Sequence, residues 1–133
     1  KLVVAGRGDP RGMEGPQVKF LGPVRQVADV LAAGDVFVLP TLYDPSSNAC
    51  LEALAAGLPV ITTNANGAGE ILKENVHGST VRVGDPDGLY RALFYWSDFG
   101  RRADAREACR ALAAEFPVAR NVSETLAVLQ KSL

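Results

Sequence analysis

The chain has 133 residues, 14 basic and 15 acidic side chains for a formal net charge of −1, and 47% hydrophobic against 22% charged residues. That length suits one domain with a real core, and the composition excludes a disordered chain. The balanced charge excludes a basic nucleic-acid footprint and a like-charged tail, while Glu52, Gly57 and Pro59 interrupt the longest near-apolar run, Ala49 to Thr62, and exclude a membrane span there.

The chain opens on Lys1 rather than methionine and enters a strand at once, without a signal or transit segment, so it reads as a piece of a longer polypeptide. Leu2 to Ala5 is a short apolar β run followed by a turn-rich loop from Gly6 to Pro10. Val18 to Leu21 is a second strand closed by Gly22-Pro23. Val27 to Ala33 reads as a helix ending at Gly34. Asp35 to Pro40 is a third strand, and the loop Thr41 to Ser47 leads into a helix over Asn48 to Ala56, stopped by Gly57. Val60 to Thr63 is a fourth strand with an exit loop from Asn64 to Gly69. Ala68 to Lys73 reads as a short helix and Thr80 to Val83 as a fifth strand. Asp85-Pro86 opens a further helix, with the acid as N-cap and proline in the first turn. Leu89, Leu93 and Trp96 are expected on its inner face. Two helices follow, Arg101 to Phe116 and Val118 to Leu133, the last with an apolar stripe of Val122, Leu126, Leu129 and Leu133.

Short continuous β runs alternating with helices predict α/β architecture: a Rossmann-like, doubly wound parallel sheet with helices on both faces. In such sheets ligands bind outside the carboxyl ends of the strands. Those ends lead here into Gly6–Pro16, Gly22–Val24, Thr41–Asn48 and Asn64–Gly69, and helix starts after several of them favour an anion such as phosphate.

Few residues offer other chemistry. Cys50 and Cys109 stand far apart among alanines and leucines, which suits reduced, buried thiols. The single histidine, His77, lies in a turn-like segment and reads as a surface residue, so neither a catalytic triad nor a zinc site is supported. Gly6-x-Gly8 runs on to Gly12 and is not the dinucleotide fingerprint, and no P-loop pattern occurs. Glu52 is the only charged residue between Asp44 and Glu70, set among alanines and leucines. A carboxylate in so apolar a helix is expected to be hydrogen-bonded or to stand at a pocket edge. The alternative is a carboxylate satisfied by a backbone turn or a distant arginine. Asp44-Pro45 doubles as a good N-cap pair, and Ser46, Ser47 and Asn48 are capping types whose amides could equally hold a phosphate.

Taken together, the run from Pro40 to Ile61 resembles the core motif of the GT-B retaining glycosyltransferases of family four, the group 1 glycosyltransferases. That family shows two glutamates separated by seven residues, running into a helix that reads LEAMAxGxPVI. Asn66-Gly67-Ala68-Gly69-Glu70-Ile71 is similar to its NGxxE segment, and Asn75 to Gly78 with Val83 to Asp87 to its DGxNG and GD region. Val18 to Val24 and Ala28 to Leu31 fit its VxFLGxV strand and the following helix. The resemblance covers nearly all of residues 1–133 and implies the carboxyl-terminal, nucleotide-sugar-binding lobe, without the amino-terminal acceptor lobe.

By that resemblance Glu52 takes the place of the second glutamate, which grips the ribose hydroxyls of the nucleotide. Two acceptor oxygens suit two vicinal hydroxyls. Asp44 takes the place of the first, which contacts hydroxyls of the donor sugar; here it is aspartate, shorter by about 1.5 Å. Asn48 and Ala49, with Ser47 beside them, stand where the family offers amides to the donor. Gly22 and Val24 stand where it meets the base through the main chain, and Gly6 and Gly8 line the adjacent loop. The resemblance implies retaining transfer of a sugar from a nucleoside diphosphate, such as UDP, to an acceptor hydroxyl in bacterial polysaccharide or lipopolysaccharide synthesis. It implies no cofactor and no metal, since amides and the family's upstream arginine and lysine take the leaving charge. The expected partners are the nucleoside-diphosphate sugar and a glycan or lipid-linked acceptor held by the other lobe, with a cytoplasmic setting that includes the inner-membrane periphery. An isolated 133-residue piece is expected to be inactive, and its last helix to favour a homodimer. A non-catalytic nucleotide-binding module and a GT-B nucleotide-sugar epimerase are the alternatives.

Overall fold

The computed structural model describes residues 1–9, 11–12 and 15–131, and the chain divides into two compact units, Lys1–Ala33 and the remainder from Gly34. In the first unit, β1 (Leu2–Ala5) and β2 (Val18–Gly22) pair in parallel, in register from Leu2 against Val18, with an irregularity between Val4 and Ala5. Gly6 N–H donates to Gly22 C=O at 2.9 Å, so the pairing runs to the carboxyl ends of both strands. The helix α1 (Val27–Ala32) follows, with Leu31 as its buried residue.

The second unit is built on β3 (Phe37–Leu39), β4 (Val60–Thr63) and β5 (Gly78–Val81), parallel and adjacent in that order. All four residues of β4 are buried, as expected of a central strand covered on both faces. Pairing among the named strands is parallel throughout, in one set of two and one of three. Helix α2 (Asn48–Ala55) packs on α4 (Phe99–Ala114), and α3 (Pro86–Trp96) lies against β4 and β5. The core is made of Cys50, Ala53, Leu54, Val60, Ile61, Trp96 and Cys109, all fully buried. The Trp96 indole N–H donates to Ser79 Oγ at 3.1 Å, which gives the buried ring its polar partner.

Local chemistry explains the boundaries. Gly57 ends α2 in the left-handed region, with Gly57 N–H donating to Leu54 C=O at 2.8 Å and Leu58 N–H to Ala53 C=O at 3.0 Å, the Schellman pairing. Asp85 caps α3 by accepting from Gly88 N–H at 2.8 Å, and Asp98 caps α4 by accepting from Arg101 N–H at 2.9 Å. Arg102 of α4 donates to Trp96 C=O at 2.9 Å and Ser97 C=O at 2.6 Å, satisfying carbonyls at the end of α3.

Several sequence expectations shift. The segment after Asn66 is a 3₁₀ turn, Gly67–Ile71, rather than a helix from Ala68 to Lys73. The strand β5 begins at Gly78, two residues before the expected Thr80, and β3 is three residues long. The inner face of α3 is Gly88, Ala92 and Trp96; Leu93 is 41% exposed, because Trp96 sets the buried arc and Leu93 lies outside it. The helix α4 starts at Phe99, where Asp98 supplies the cap. The last helix, α5 (Val118–Lys131), has no buried residue, and Val122, Leu126 and Leu129 are 50%, 52% and 56% exposed. Leu133 of the expected stripe lies outside the described residues.

The two flanks of the three-stranded sheet differ. At β5 the outward polar groups are engaged: Glu74 Oε2 accepts from Thr80 N–H at 3.1 Å, and Asn75 N–H donates to Gly78 C=O at 2.8 Å. Among the described strands, β3 has a neighbour only at β4.

Candidate functional site at the carboxyl ends of β3 and β4

The loop from Pro40 to Ser47 leaves β3 and delivers the chain to α2. Its apolar residues do not anchor it, since Leu42 is 79% and Tyr43 78% exposed. Backbone pairing anchors it instead. Asp44 N–H donates to Ala65 C=O at 3.0 Å, and Gly67 N–H donates to Asp44 C=O at 2.9 Å, a one-residue parallel bridge to the loop after β4. Asp44 is not the N-cap of α2. Its Oδ1 accepts from Ser46 N–H at 3.0 Å, closing an Asx turn, and its carboxylate is half-buried. Ser47 is the N-cap residue, buried, and its side chain makes no cap hydrogen bond. Cys50 N–H and Leu51 N–H reach Ser47 C=O at 3.2 and 3.5 Å, so the amides of Asn48 and Ala49 stand ahead of the helical ladder.

Glu52 differs from its expected burial. Cys50, Ala53 and Leu54 form the inner face of α2, whereas Asn48, Glu52 and Ala55 are exposed. The helix is amphipathic in spite of its composition, because its outer face includes alanine. The Glu52 carboxylate makes no hydrogen bond or ion pair with any described residue. The arginine or backbone turn that would have satisfied it is therefore not found among the described residues.

Beneath the loop lies a buried polar network. Asn66, 2% exposed, donates through Nδ2 to Thr62 Oγ1 at 2.9 Å and to Cys50 Sγ at 3.6 Å, and accepts at Oδ1 from Ala68 N–H at 3.0 Å. Thr62 Oγ1 donates to Leu39 C=O at 2.9 Å, and Thr63 Oγ1 to Thr41 C=O at 2.7 Å. Burial pushes the Cys50 thiol up, hydrogen bonds from Ser47, Asn66 and Thr62 oppose this, and the Asp44 charge adds to it. Burial likewise pushes Cys109 up to about 11. Both cysteines are free and buried, as expected. His77 is half-buried rather than a surface residue: its Nδ1 accepts from Lys73 N–H at 3.1 Å.

The remaining candidates lie in the first unit. Gly6 and Gly22, both in the positive-φ region, are neighbours through their backbone hydrogen bond at the carboxyl ends of β1 and β2. Gly8 is exposed in the following loop, and Val24 is half-buried after β2. A cavity of about 360 Å³ opens elsewhere, between β5 and α3, bounded by Glu74, Arg82, Asp85, Arg91 and Tyr95; it includes neither Asp44 nor Glu52. The role of Asn66 was not visible in the sequence beyond its place in the NGxxE-like segment, because its partners Thr62 and Cys50 come from other elements.

Parallel strands alternating with helices define a Rossmann-like α/β protein, a class in which ligands bind outside the carboxyl ends of the strands. The chain belongs to the group 1 glycosyl transferases, whose family profile matches residues 1–96. It is 37% identical over 112 residues to an uncharacterized glycosyltransferase of Methanocaldococcus jannaschii, a match of 72% of this chain and 28% of that protein. It is 37% identical over 79 residues to an Escherichia coli UDP-Gal:alpha-D-GlcNAc-diphosphoundecaprenol alpha-1,3-galactosyltransferase, covering 59% of this chain and 20% of that one. Among solved structures it resembles Anabaena Alr3699/HepE in complex with UDP, at 26% identity and a TM-score of 0.74 over 88% of this chain and 33% of the other. The chain thus spans about a quarter of the length of these curated relatives. No helix among the described residues is long and apolar enough to cross a membrane.

Proposed function

We propose that this chain is the donor-binding, carboxyl-terminal lobe of a retaining glycosyltransferase. It holds a nucleoside-diphosphate sugar at the carboxyl ends of its strands, and the sugar passes to an acceptor hydroxyl with its anomeric configuration kept. The observation that carries the reading is Glu52: an exposed carboxylate with no partner among the described residues, on a helix whose other face is core. Two free acceptor oxygens beside helix-start amides suit a ribose next to a diphosphate. The E. coli relative is named for a UDP-galactose donor, and the HepE structure contains UDP, which supports the same ligand class here.

In this reading Glu52 accepts from the ribose hydroxyls and Asp44 from hydroxyls of the sugar. The amides of Asn48 and Ala49, with Ser47, face the diphosphate. Charge on the leaving diphosphate is taken by amides and by basic residues of the rest of the protein, without a metal. The leaving phosphate accepts the acceptor's proton, so no general base from this chain is needed. The acceptor, a glycan or lipid-linked saccharide of polysaccharide or lipopolysaccharide synthesis, is held by the other lobe, in the cytoplasm or at the periphery of the inner membrane.

The test is calorimetric titration of the full-length protein with UDP and with UDP-, GDP- and ADP-sugars, for wild type and Glu52→Ala. Loss of a charged hydrogen-bonding contact is expected to cost about 1–3 kcal/mol of nucleotide binding. An unchanged affinity with the fold intact would overturn the assignment.

A further inference from the structure

The loop that carries Asp44 is tied to β4 and the segment after it, at Thr41 C=O by Thr63 Oγ1 at 2.7 Å and at Asp44 by a backbone bridge. Leu42 and Tyr43 are exposed, so apolar packing does not fix residues 41–47. The loop is held where Asp44 exchanges backbone hydrogen bonds with Ala65 and Gly67, at 3.0 and 2.9 Å. Gly67 sits directly against the next residue of the loop. A Cβ built at Gly67 would lie 2.0 Å from Pro45 O and 3.0 Å from Pro45 C. Those are rigid backbone atoms, so any side chain at position 67 drives the loop outward and strains or breaks the bridge to Asp44.

Asn66 fixes the platform beneath. Its amide group connects β4 through Thr62, α2 through Cys50, and the 3₁₀ turn through Ala68 N–H. The polarity of that network has one direction. Thr62 Oγ1 gives its own proton to Leu39 C=O, so it must accept from Asn66 Nδ2. Aspartate at position 66 keeps the shape of asparagine but brings a second acceptor to the hydroxyl, in a fully buried place.

We propose that Asn66 and Gly67 are positioning residues for the donor: they set where the Asp44 carboxylate stands, without touching the ligand themselves. This rests on the donor-binding reading above. It separates two parts of the site. Glu52 lies on α2 beyond the loop, whereas Asp44 lies at the bridge. Displacing the loop therefore weakens the hold on the sugar more than the hold on the nucleoside.

Three variants of the full-length protein test this: Gly67→Ala, Asn66→Asp and the milder Asn66→Ser, whose single, shorter hydroxyl keeps an acceptor for Ala68 N–H but does not also reach Thr62 Oγ1 as the amide does. The probes are UDP and UDP-glucose, titrated calorimetrically, with urea unfolding measured alongside. The expected result is a dissociation constant for UDP within about threefold of wild type and one for UDP-glucose raised about tenfold or more, the latter equal to roughly 1.4 kcal/mol. Equal weakening of both probes, no weakening of either, or loss of folding in all three variants would overturn the proposal and leave these residues structural. Wild-type protein that binds neither probe, or Glu52→Ala that leaves UDP binding intact, would instead overturn the donor-binding reading and this inference with it.

Discussion

Gly78 is where the strand pairing of the second unit is most exposed to a single methyl group. It opens β5 at φ +157°, and a Cβ there would lie 1.8 Å from Val60 O, 2.7 Å from Val60 C and 2.8 Å from Val60 N. These atoms belong to the fully buried central strand and cannot turn aside as a side chain could. Restoring contact distance in Gly78→Ala requires β5 to retreat by roughly 1–1.5 Å. That takes the hydrogen bond from Val60 N–H to His77 C=O, now 3.0 Å, out of range. This buried backbone pair left unmade costs about 1–3 kcal/mol, and the unfavourable φ adds about 1–3 kcal/mol. The total, about 2–6 kcal/mol, reaches into the ~5–15 kcal/mol that holds a typical domain together. Gly84→Ala is the matched control: φ is +73° but nothing lies within 4 Å of the added Cβ, so only about 1–2 kcal/mol is expected. The assay is equilibrium urea unfolding followed by far-ultraviolet circular dichroism. A Gly78→Ala midpoint no lower than that of Gly84→Ala would refute the packing argument.

Burial, reinforced by the Lys73 charge and opposed by Glu115, holds His77 below the ordinary histidine range. Its depressed folded value means that the stability it contributes is present above the unfolded pKa of about 6.5 and is lost as pH falls through the folded value. Wild type should therefore lose unfolding free energy relative to His77→Gln between about pH 7.5 and 5.5, and a variant whose urea midpoints run parallel to wild type would contradict this. The exposed face of α5 carries Val122, Leu126 and Leu129 at helical spacing, so the 133-residue chain is expected to self-associate and Leu126→Glu to reduce it. Sedimentation showing only monomer for both across a wide concentration range would rule that out.

The α/β class was legible because the strands are short continuous apolar runs, and β4 is buried at every residue as such a run predicts. The helix boundaries at Gly57 and Asp85 were legible because each rests on a local rule, a left-handed glycine and a carboxylate cap. Glu52 was singled out because its helix reads as apolar and buried, whereas the structure leaves it exposed. Alanine counts as apolar in a pattern yet tolerates water, so the exposed face of α2 was hidden in the composition. Asp44 reads as an N-cap from its neighbours alone, and only the pairing with Ala65 and Gly67 shows it tied to another loop instead. Leu89 and Leu93 fit a helical period, but Trp96 and its bond to Ser79 turn α3 so that Gly88 and Ala92 face inward. In each case the missing information was non-local.

The acidic side chain of Glu74, hooked onto the Thr80 amide, has a consequence for assembly. It acts as a stopper on one flank of the three-stranded sheet, where an intruding segment would have to displace a charge already in place.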